Sequence, residues 1–505
     1  MYLSEQNKIW IATGKDGTEP IYLLPRMMNR HGLVTGATGT GKTTTIKVMA
    51  EALSEMGTSV FMADIKGDVS GLCIPGDATP SIYERAQKMG ITDFTLMGFP
   101  VRFFDVYGRD GIPVRTTVSS MGPLLLARIL GLNDTQTGVL QIIFKYADDN
   151  GMLLIDFKDL RAMVHFACEN ARLFTSQYGN VSQASVGAIQ RGLLTLEAAG
   201  ANSFFGEPEL NLADWLIPDE RGRGVINILN CVTLFQNPLL YSTFLLWMLS
   251  ALYEMMPEVG DLDKPRLVFF FDEAHLLFNG APRALLQKIE QVIRLIRSKG
   301  IGIFFITQSP GDIPDTVLGQ LGNKVQHALR AYTPNEQKVI KAAAASFRPN
   351  PEFDSATAIS NLAIGEALIS ALDERGAPEM IRRGFLVPPR CNFGVAPPEL
   401  INQIITGSPL YGKYAQPYDR YSAFEMLEET AKRQAAQQEL DALEAQRLKE
   451  QKSREKEAGS TKSQSTAKKK SSSSPLDKAL TSSLNQIGRS VSRELVRGLF
   501  GNLKK

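Results

Sequence analysis

Gly36-Ala37-Thr38-Gly39-Thr40-Gly41-Lys42-Thr43 has the form G-x-x-x-x-G-K-[ST], and its flanks matter as much as the motif. Upstream, Gly32-Leu33-Val34 is a short apolar run that reads as a strand. Downstream, Ile46, Met49, Ala50 and Leu53 recur at helical spacing over residues 44–56. A strand, a glycine-rich turn and a helix start point a row of backbone N–H groups at an anion, and the helix dipole adds to the attraction. Gly36, Ala37, Thr38, Gly39, Thr40, Gly41, Lys42, Thr43 and Thr44 are therefore the expected phosphate-binding residues. Lys42 would reach the β- and γ-phosphates, and the Thr43 hydroxyl would hold Mg2+.

A second stretch supplies carboxylates. Leu267-Val268-Phe269-Phe270-Phe271 is an unbroken apolar run, as expected of a strand buried on both faces, and it delivers Asp272-Glu273-Ala274-His275 at its end. In a Walker-B arrangement Asp272 would hold Mg2+ and Glu273 would polarise the attacking water. A third run, Ser59 to Ala63, ends in Asp64-Ile65-Lys66-Gly67-Asp68. Strand ends in parallel sheets carry function, so Asp64 and Lys66 are expected near the nucleotide. A fourth, Ile301 to Ile306, ends in Thr307-Gln308-Ser309-Pro310, where Gln308 could sense the γ-phosphate or its attacking water. Asn323 to Tyr332 reads as one more strand and carries Arg330.

The 505 residues carry 55 Lys and Arg against 53 Asp and Glu, so composition alone does not call for a polyanionic partner. Cys73, Cys168, Cys231 and Cys391 lie far apart with no C-x-x-C pair, which argues against a disulfide framework or zinc site and fits a reducing compartment. The opening residues lack a basic segment followed by an apolar core, so no signal peptide and a cytoplasmic setting are expected. Val225 to Tyr253 is free of charge and longer than the roughly 20 residues of a membrane helix. Asn227, Asn230, Gln236, Asn237 and Pro238 interrupt it, so a buried strand, a loop and a buried helix are expected, with no transmembrane segment.

Along the chain, residues 1–31 read as a strand-rich lead-in and 32–395 as an α/β core. Within the core, about 106–220 read as a helical insertion. Pro397-Pro398, Pro409 and Pro417 mark 396–421 as an extended exit. Residues 422–457 read as a long polar helix with weak heptad character at Phe424, Leu427, Leu440 and Leu443, and 458–474 as a disordered Ser/Lys linker. In 475–503, Leu476, Leu480, Leu484, Ile487, Val491, Leu495 and Leu499 form an amphipathic helix that could dock on a partner protein, on the core or on a membrane surface.

The ordered set Asn29-Arg30-His31-Gly32 before the P-loop, Asp64 to Asp68, Phe271 to His275, and Arg294 to Gly302 leading to Thr307-Gln308-Ser309-Pro310 resembles the HerA/FtsK superfamily of P-loop ATPases, most of all bacterial HerA-like proteins of the YjgR type. The resemblance covers roughly residues 25–395. It implies an α/β fold: a RecA-like P-loop NTPase with a mostly parallel central sheet, a helical insertion and a helical or disordered C-terminal tail. It also implies ATP with Mg2+, a homo-oligomeric and commonly hexameric ring, DNA as the translocated polymer, and an arginine lent by a neighbouring subunit. Arg297 and Arg330 are the two arginines that fit that last role. Two other readings remain beside a DNA translocase: a motor moving protein, as in secretion or conjugation, and a nucleotide-gated scaffold recruiting a partner such as a nuclease.

Overall fold

The computed structural model describes residues 1–460 apart from 15, 16, 18, 279–282 and 332. One compact unit spans Met1–Glu429, and a second begins at Thr430. The amphipathic segment 475–503 and the Ser/Lys linker beyond residue 460 lie outside the described residues.

The first unit is built on a thirteen-stranded sheet. Its centre is parallel and runs Asn323–Gln326, Gly32–Thr35, Ile301–Thr307, Leu267–Phe271, Ser59–Asp64, Ile226–Asn230, Val101–Asp105. All five residues of Leu267–Phe271 and all seven of Ile301–Thr307 are buried, as strands covered on both faces must be. Phe270 packs on Phe304 and Phe271 on Phe305 across the pairing, with ring centroids 5.5 and 5.9 Å apart. Gly32 faces Phe304 in register, and a Cβ there would lie 2.2 Å from the Phe304 ring, so only glycine lets these strands meet.

At one edge the sheet turns antiparallel. Asn323–Gln326 pairs with Glu366–Ser370, then Arg382–Leu386, then Lys8–Gly14, with Pro20–Leu23 and Tyr2–Leu3 beyond. The N-terminal strands thus extend the core sheet by pairing with a strand near its C-terminal end.

Between the short strand Ile112–Pro113 and Ile226–Asn230 the chain forms five helices, from Val118–Ile129 to Gln183–Ala198. Asn133 with Gln136, and Asp156 with Asp159, make reciprocal capping boxes that satisfy the first N–H groups of two of them. The charge-free stretch resolves into Ile226–Asn230, a 3-10 turn and the largely buried helix Pro238–Met255. Among the described residues no helix is long and apolar enough to cross a membrane.

Two segments differ from the sequence reading. The strand expected over Asn323 to Tyr332 ends at Gln326, whose ladder closes with the His327 N to Thr35 O bond, and past it Ala328 O accepts from Ala37 N of the phosphate loop. Arg330 therefore follows the strand instead of riding on it. The exit expected to be extended instead folds into helices Pro398–Gly407 and Pro409–Tyr414. Pro398 and Pro409 occupy first-turn positions, where a missing N–H costs nothing, so these prolines start helices. The polar helix is present as Ala423–Ser460, and its Leu440, Leu443 and Leu448 are exposed.

Candidate functional site

The register of the parallel strands decides what meets. Thr307 pairs with Thr35, and Phe305 with Phe271, so the ends of Gly32–Thr35, Ile301–Thr307 and Leu267–Phe271 open onto one edge. The strand ending in Thr307-Gln308 lies between the other two.

Helix Lys42–Glu55 follows the first of these ends, with Gly41 as its N-cap at φ +117°, in the left-handed range where a Cβ would be strained. The Lys42 Nζ donates to Gly36 O at 2.6 Å and Ala37 O at 3.1 Å, so the ammonium closes the loop on itself. Thr38 and Gly39 form the exposed crown, while Thr40 is buried and donates from Oγ1 to Ala37 O at 2.7 Å. Burial, then Lys66, lowers the Lys42 pKa against the pull of Asp272 and Glu273.

The loop is braced from behind by residues that no local pattern in the sequence marks. Gly365 N donates to Thr40 O at 3.1 Å. His327, fully buried, meets Thr45 Oγ1 through Nε2 at 2.8 Å, and a Cβ on Gly36 would come within 2.4 Å of the His327 Cβ.

The carboxylate pair sits two strands from the phosphate loop's own, across Ile301–Thr307. Asp272 Oδ1 accepts from Glu273 N at 2.9 Å. Glu273 holds φ +46°, a left-handed conformation that costs a non-glycine residue of order 1–3 kcal/mol and in folded proteins concentrates at functional sites. Lys66 Nζ lies 2.8 Å from Glu273 Oε1 and 3.6 Å from Asp272 Oδ2. Glu273 Oε2 is buried without a hydrogen bond, 3.3 Å from His275 Nδ1. Burial alone would raise the Glu273 pKa, but the bound Lys66 ammonium, helped by His275 and Lys42, holds it below the ordinary value. For Asp272 burial prevails and its pKa is raised.

The Asp64 to Asp68 loop touches both motifs. Lys66 reaches the carboxylates, and Thr43 Oγ1 donates to Asp68 Oδ2 at 3.3 Å. Asp64 turns inward and accepts from the N–H groups of Gly67, Asp68 and Val69. Gln308 is exposed at its strand end beside these groups. Neither arginine joins the site within one chain. Arg330 is exposed and donates to Ser360 O at 2.5 Å and Leu362 O at 3.3 Å. Arg297 precedes strand Ile301–Thr307, at the opposite edge of the sheet, 3.5 Å from Asp261.

The buried histidines give the fold an acid limit. Burial lowers the His327 pKa to about 4, with Lys42 adding to the shift, and burial does the same at His31, which accepts from Ile303 N at 3.1 Å. Between about 6.5 and 4 the unfolded chain binds these protons and the folded chain does not. Each histidine is neutral in both states above pH 6.5, and stability falls as pH drops from there toward 4 because only the unfolded chain takes up the proton. Asp64, raised to about 6 by burial and by Asp68, works in the opposite direction. The expected result is that His327→Asn flattens the fall in urea midpoint between pH 7 and 4.5 relative to wild type. An unchanged slope would contradict the neutral buried imidazole.

Residues 10–505 match the family described as Helicase HerA-like C-terminal. The chain belongs to this family. It is a P-loop ATPase of the HerA-like type, with the α/β, mostly parallel RecA-like sheet that such a site needs. Among solved structures, the plasmid coupling protein TrwB in complex with the non-hydrolysable ATP analogue ADPNP is 15% identical, with a TM-score of 0.50 over 78% of this chain and 94% of that one. TrwB in complex with ADP and Mg2+ aligns at 14% identity and TM-score 0.49, over 78% and 94%. VirB4 of Thermoanaerobacter pseudethanolicus aligns at 14% identity and TM-score 0.47, over 76% and 98%. These are likenesses of fold. No curated protein matches the chain.

Proposed function

We propose that this HerA-family chain hydrolyses ATP with Mg2+ and uses the turnover to move along DNA as a ring of identical subunits. The observation that carries the reading is the meeting, at one sheet edge, of the Lys42 loop, the Asp272–Glu273 pair and Gln308.

The residues fit a magnesium nucleotide. The Thr43 hydroxyl and the Asp272 carboxylate offer hard oxygen donors, with Asp68 beside Thr43. Thr43 and Asp272 would hold the ion, which neutralises phosphate charge when bound. Lys42 exchanges its bonds to Gly36 and Ala37 for phosphate oxygens. Glu273 accepts a hydrogen bond from the attacking water and orients it, and Gln308 holds the same water or the γ-phosphate from the adjoining strand.

DNA as the polymer rests on family membership. Steady-state ATPase rates with and without double-stranded DNA, at low and moderate salt, test it. We expect severalfold stimulation that weakens as salt rises, since phosphate contacts release counterions. Turnover indifferent to DNA would overturn the translocase reading. Stimulation by peptide instead would assign a protein motor, and slow turnover indifferent to every polymer would assign a nucleotide-gated scaffold.

A further inference from the structure

The turn Pro25–Arg30, with His31 after it, lies at the amino end of strand Gly32–Thr35, on the edge of the sheet opposite the phosphate loop. It is wedged there. Asn323 Nδ2 donates to Met27 O at 2.9 Å and to His31 O at 3.1 Å, and Gly322 N donates to Arg30 O at 3.1 Å. A Cβ on Gly302 would lie 2.4 Å from Met28 O, so strand Ile301–Thr307 also presses on the turn.

His31 is buried and holds φ +59°, a left-handed value that strains any residue with a Cβ. Both ring nitrogens are engaged. Nδ1 accepts from Ile303 N at 3.1 Å, so the ring proton is on Nε2, which donates to Ile293 O at 2.8 Å. Burial keeps the ring neutral, as these opposite roles require.

The two partners belong to different elements, and Arg297 lies between them. Ile293 sits in the last turn of helix Arg283–Ile296, where carbonyls lack a partner within the helix. The chain then tightens into the 3-10 turn Arg297–Lys299, passes Gly300 at φ +74° and enters strand Ile301–Thr307. His31 thus ties the helix end to the strand start, across the base of the bend that carries Arg297. The Arg297 side chain itself is only partly buried, and its 3.5 Å ion pair with exposed Asp261 orients it weakly. Its direction therefore depends on the backbone that His31 holds.

We infer that His31 is a positioning residue, holding this bend so that Arg297 meets the nucleotide of the next subunit. This rests on the ring reading above and on Arg297 as the lent arginine, and it adds the group that sets where that arginine stands. The effect of His31 then appears at the neighbour's site. A histidine that only filled the core would act within its own subunit.

His31→Asn separates the two. Its amide oxygen can still accept from Ile303 N, and asparagine suits a left-handed φ, but no donor reaches Ile293 O. In the full chain with MgATP we expect turnover to fall by about 10², the loss that a misplacement of about 1 Å brings, with ATP affinity unchanged. His31→Gln, whose longer amide can donate from the Nε2 position, should recover most of that turnover. Mixing His31→Asn with Glu273→Gln decides the matter. The intact Glu273 site of one subunit then meets the intact Arg297 bend of the other, and turnover rises above that of either protein alone. A mixture that does not rise would overturn the inference, as would wild-type turnover in His31→Asn, weakened ATP binding, or equal losses in the Asn and Gln variants. If His31→Asn does not fold, low turnover in a folded His31→Gln overturns it. Failure of an Arg297→Ala and Glu273→Gln mixture to recover would instead refute Arg297 as the lent arginine. That result does not involve His31, so the two failures are distinct.

Discussion

Glu273→Gln is expected to lower ATP turnover by about 10²–10⁴, the range lost when a positioned acid–base group is removed, while ATP binding persists. The substitution keeps size and shape. Its amide oxygen can still accept from Lys66, now 2.8 Å from Oε1, so the neighbouring loop has no reason to move. What disappears is a carboxylate that the structure keeps ionised against its burial, with the Lys66 ammonium as the main opposing influence. Glu273 also holds a left-handed backbone at φ +46° directly after Asp272, which aims its side chain independently of the strand. A conformation so costly persists only where surrounding structure imposes it. Steady-state hydrolysis beside nucleotide titration checks the result. Turnover within tenfold of wild type would remove Glu273 from the chemistry.

The site's parts were legible in the sequence because each is local. A glycine-rich turn between strand and helix, and an apolar run ending in Asp-Glu, carry their own signatures over fewer than ten residues. What holds the parts together was not legible. His327 and Gly365 brace the phosphate loop from just past one strand and just before another, far along the chain, and nothing in the residues around them announces it. Periodicity reports that a segment is buried, not which strand it will adjoin. The pairing of Lys8–Gly14 with Arg382–Leu386 therefore had no local sign. The prolines misled for a related reason: Pro398 and Pro409 break a preceding helix as readily as they open a following one, and only the packed structure shows which. The Lys66 bridge falls between these extremes. Its strand-end position was visible, but its Coulombic hold on Glu273 depends on which strand lies beside the Walker strand.

If the subunits form the proposed ring, its symmetry says where an arginine lent between them must lie. Head-to-tail assembly joins two different faces, so the surface that meets a neighbour's nucleotide cannot be the one that carries the subunit's own. The P-loop, Glu273 and Gln308 all lie at the carboxyl ends of the parallel strands. Arg330 lies past the same ends, with its guanidinium engaged by Ser360 O and Leu362 O. Arg297 lies at the amino end of Ile301–Thr307, on the far edge, and among the described residues its ion-pair partner is the exposed Asp261 at 3.5 Å. A guanidinium so lightly held can be offered to another subunit at little cost. We therefore expect Arg297→Ala to lower turnover by about 10³–10⁵, the range an arginine finger supplies, without loss of ATP binding. Arg330→Ala should act mainly on the loop over Ser360 and Leu362. The decisive measurement mixes two inactive proteins, Arg297→Ala and Glu273→Gln. A shared interface then unites an intact Glu273 from one subunit with an intact Arg297 from the next, and activity returns. If the mixture stays inactive while Arg330→Ala with Glu273→Gln recovers turnover, Arg330 is the arginine that crosses the interface, and the P-loop edge itself faces the neighbour.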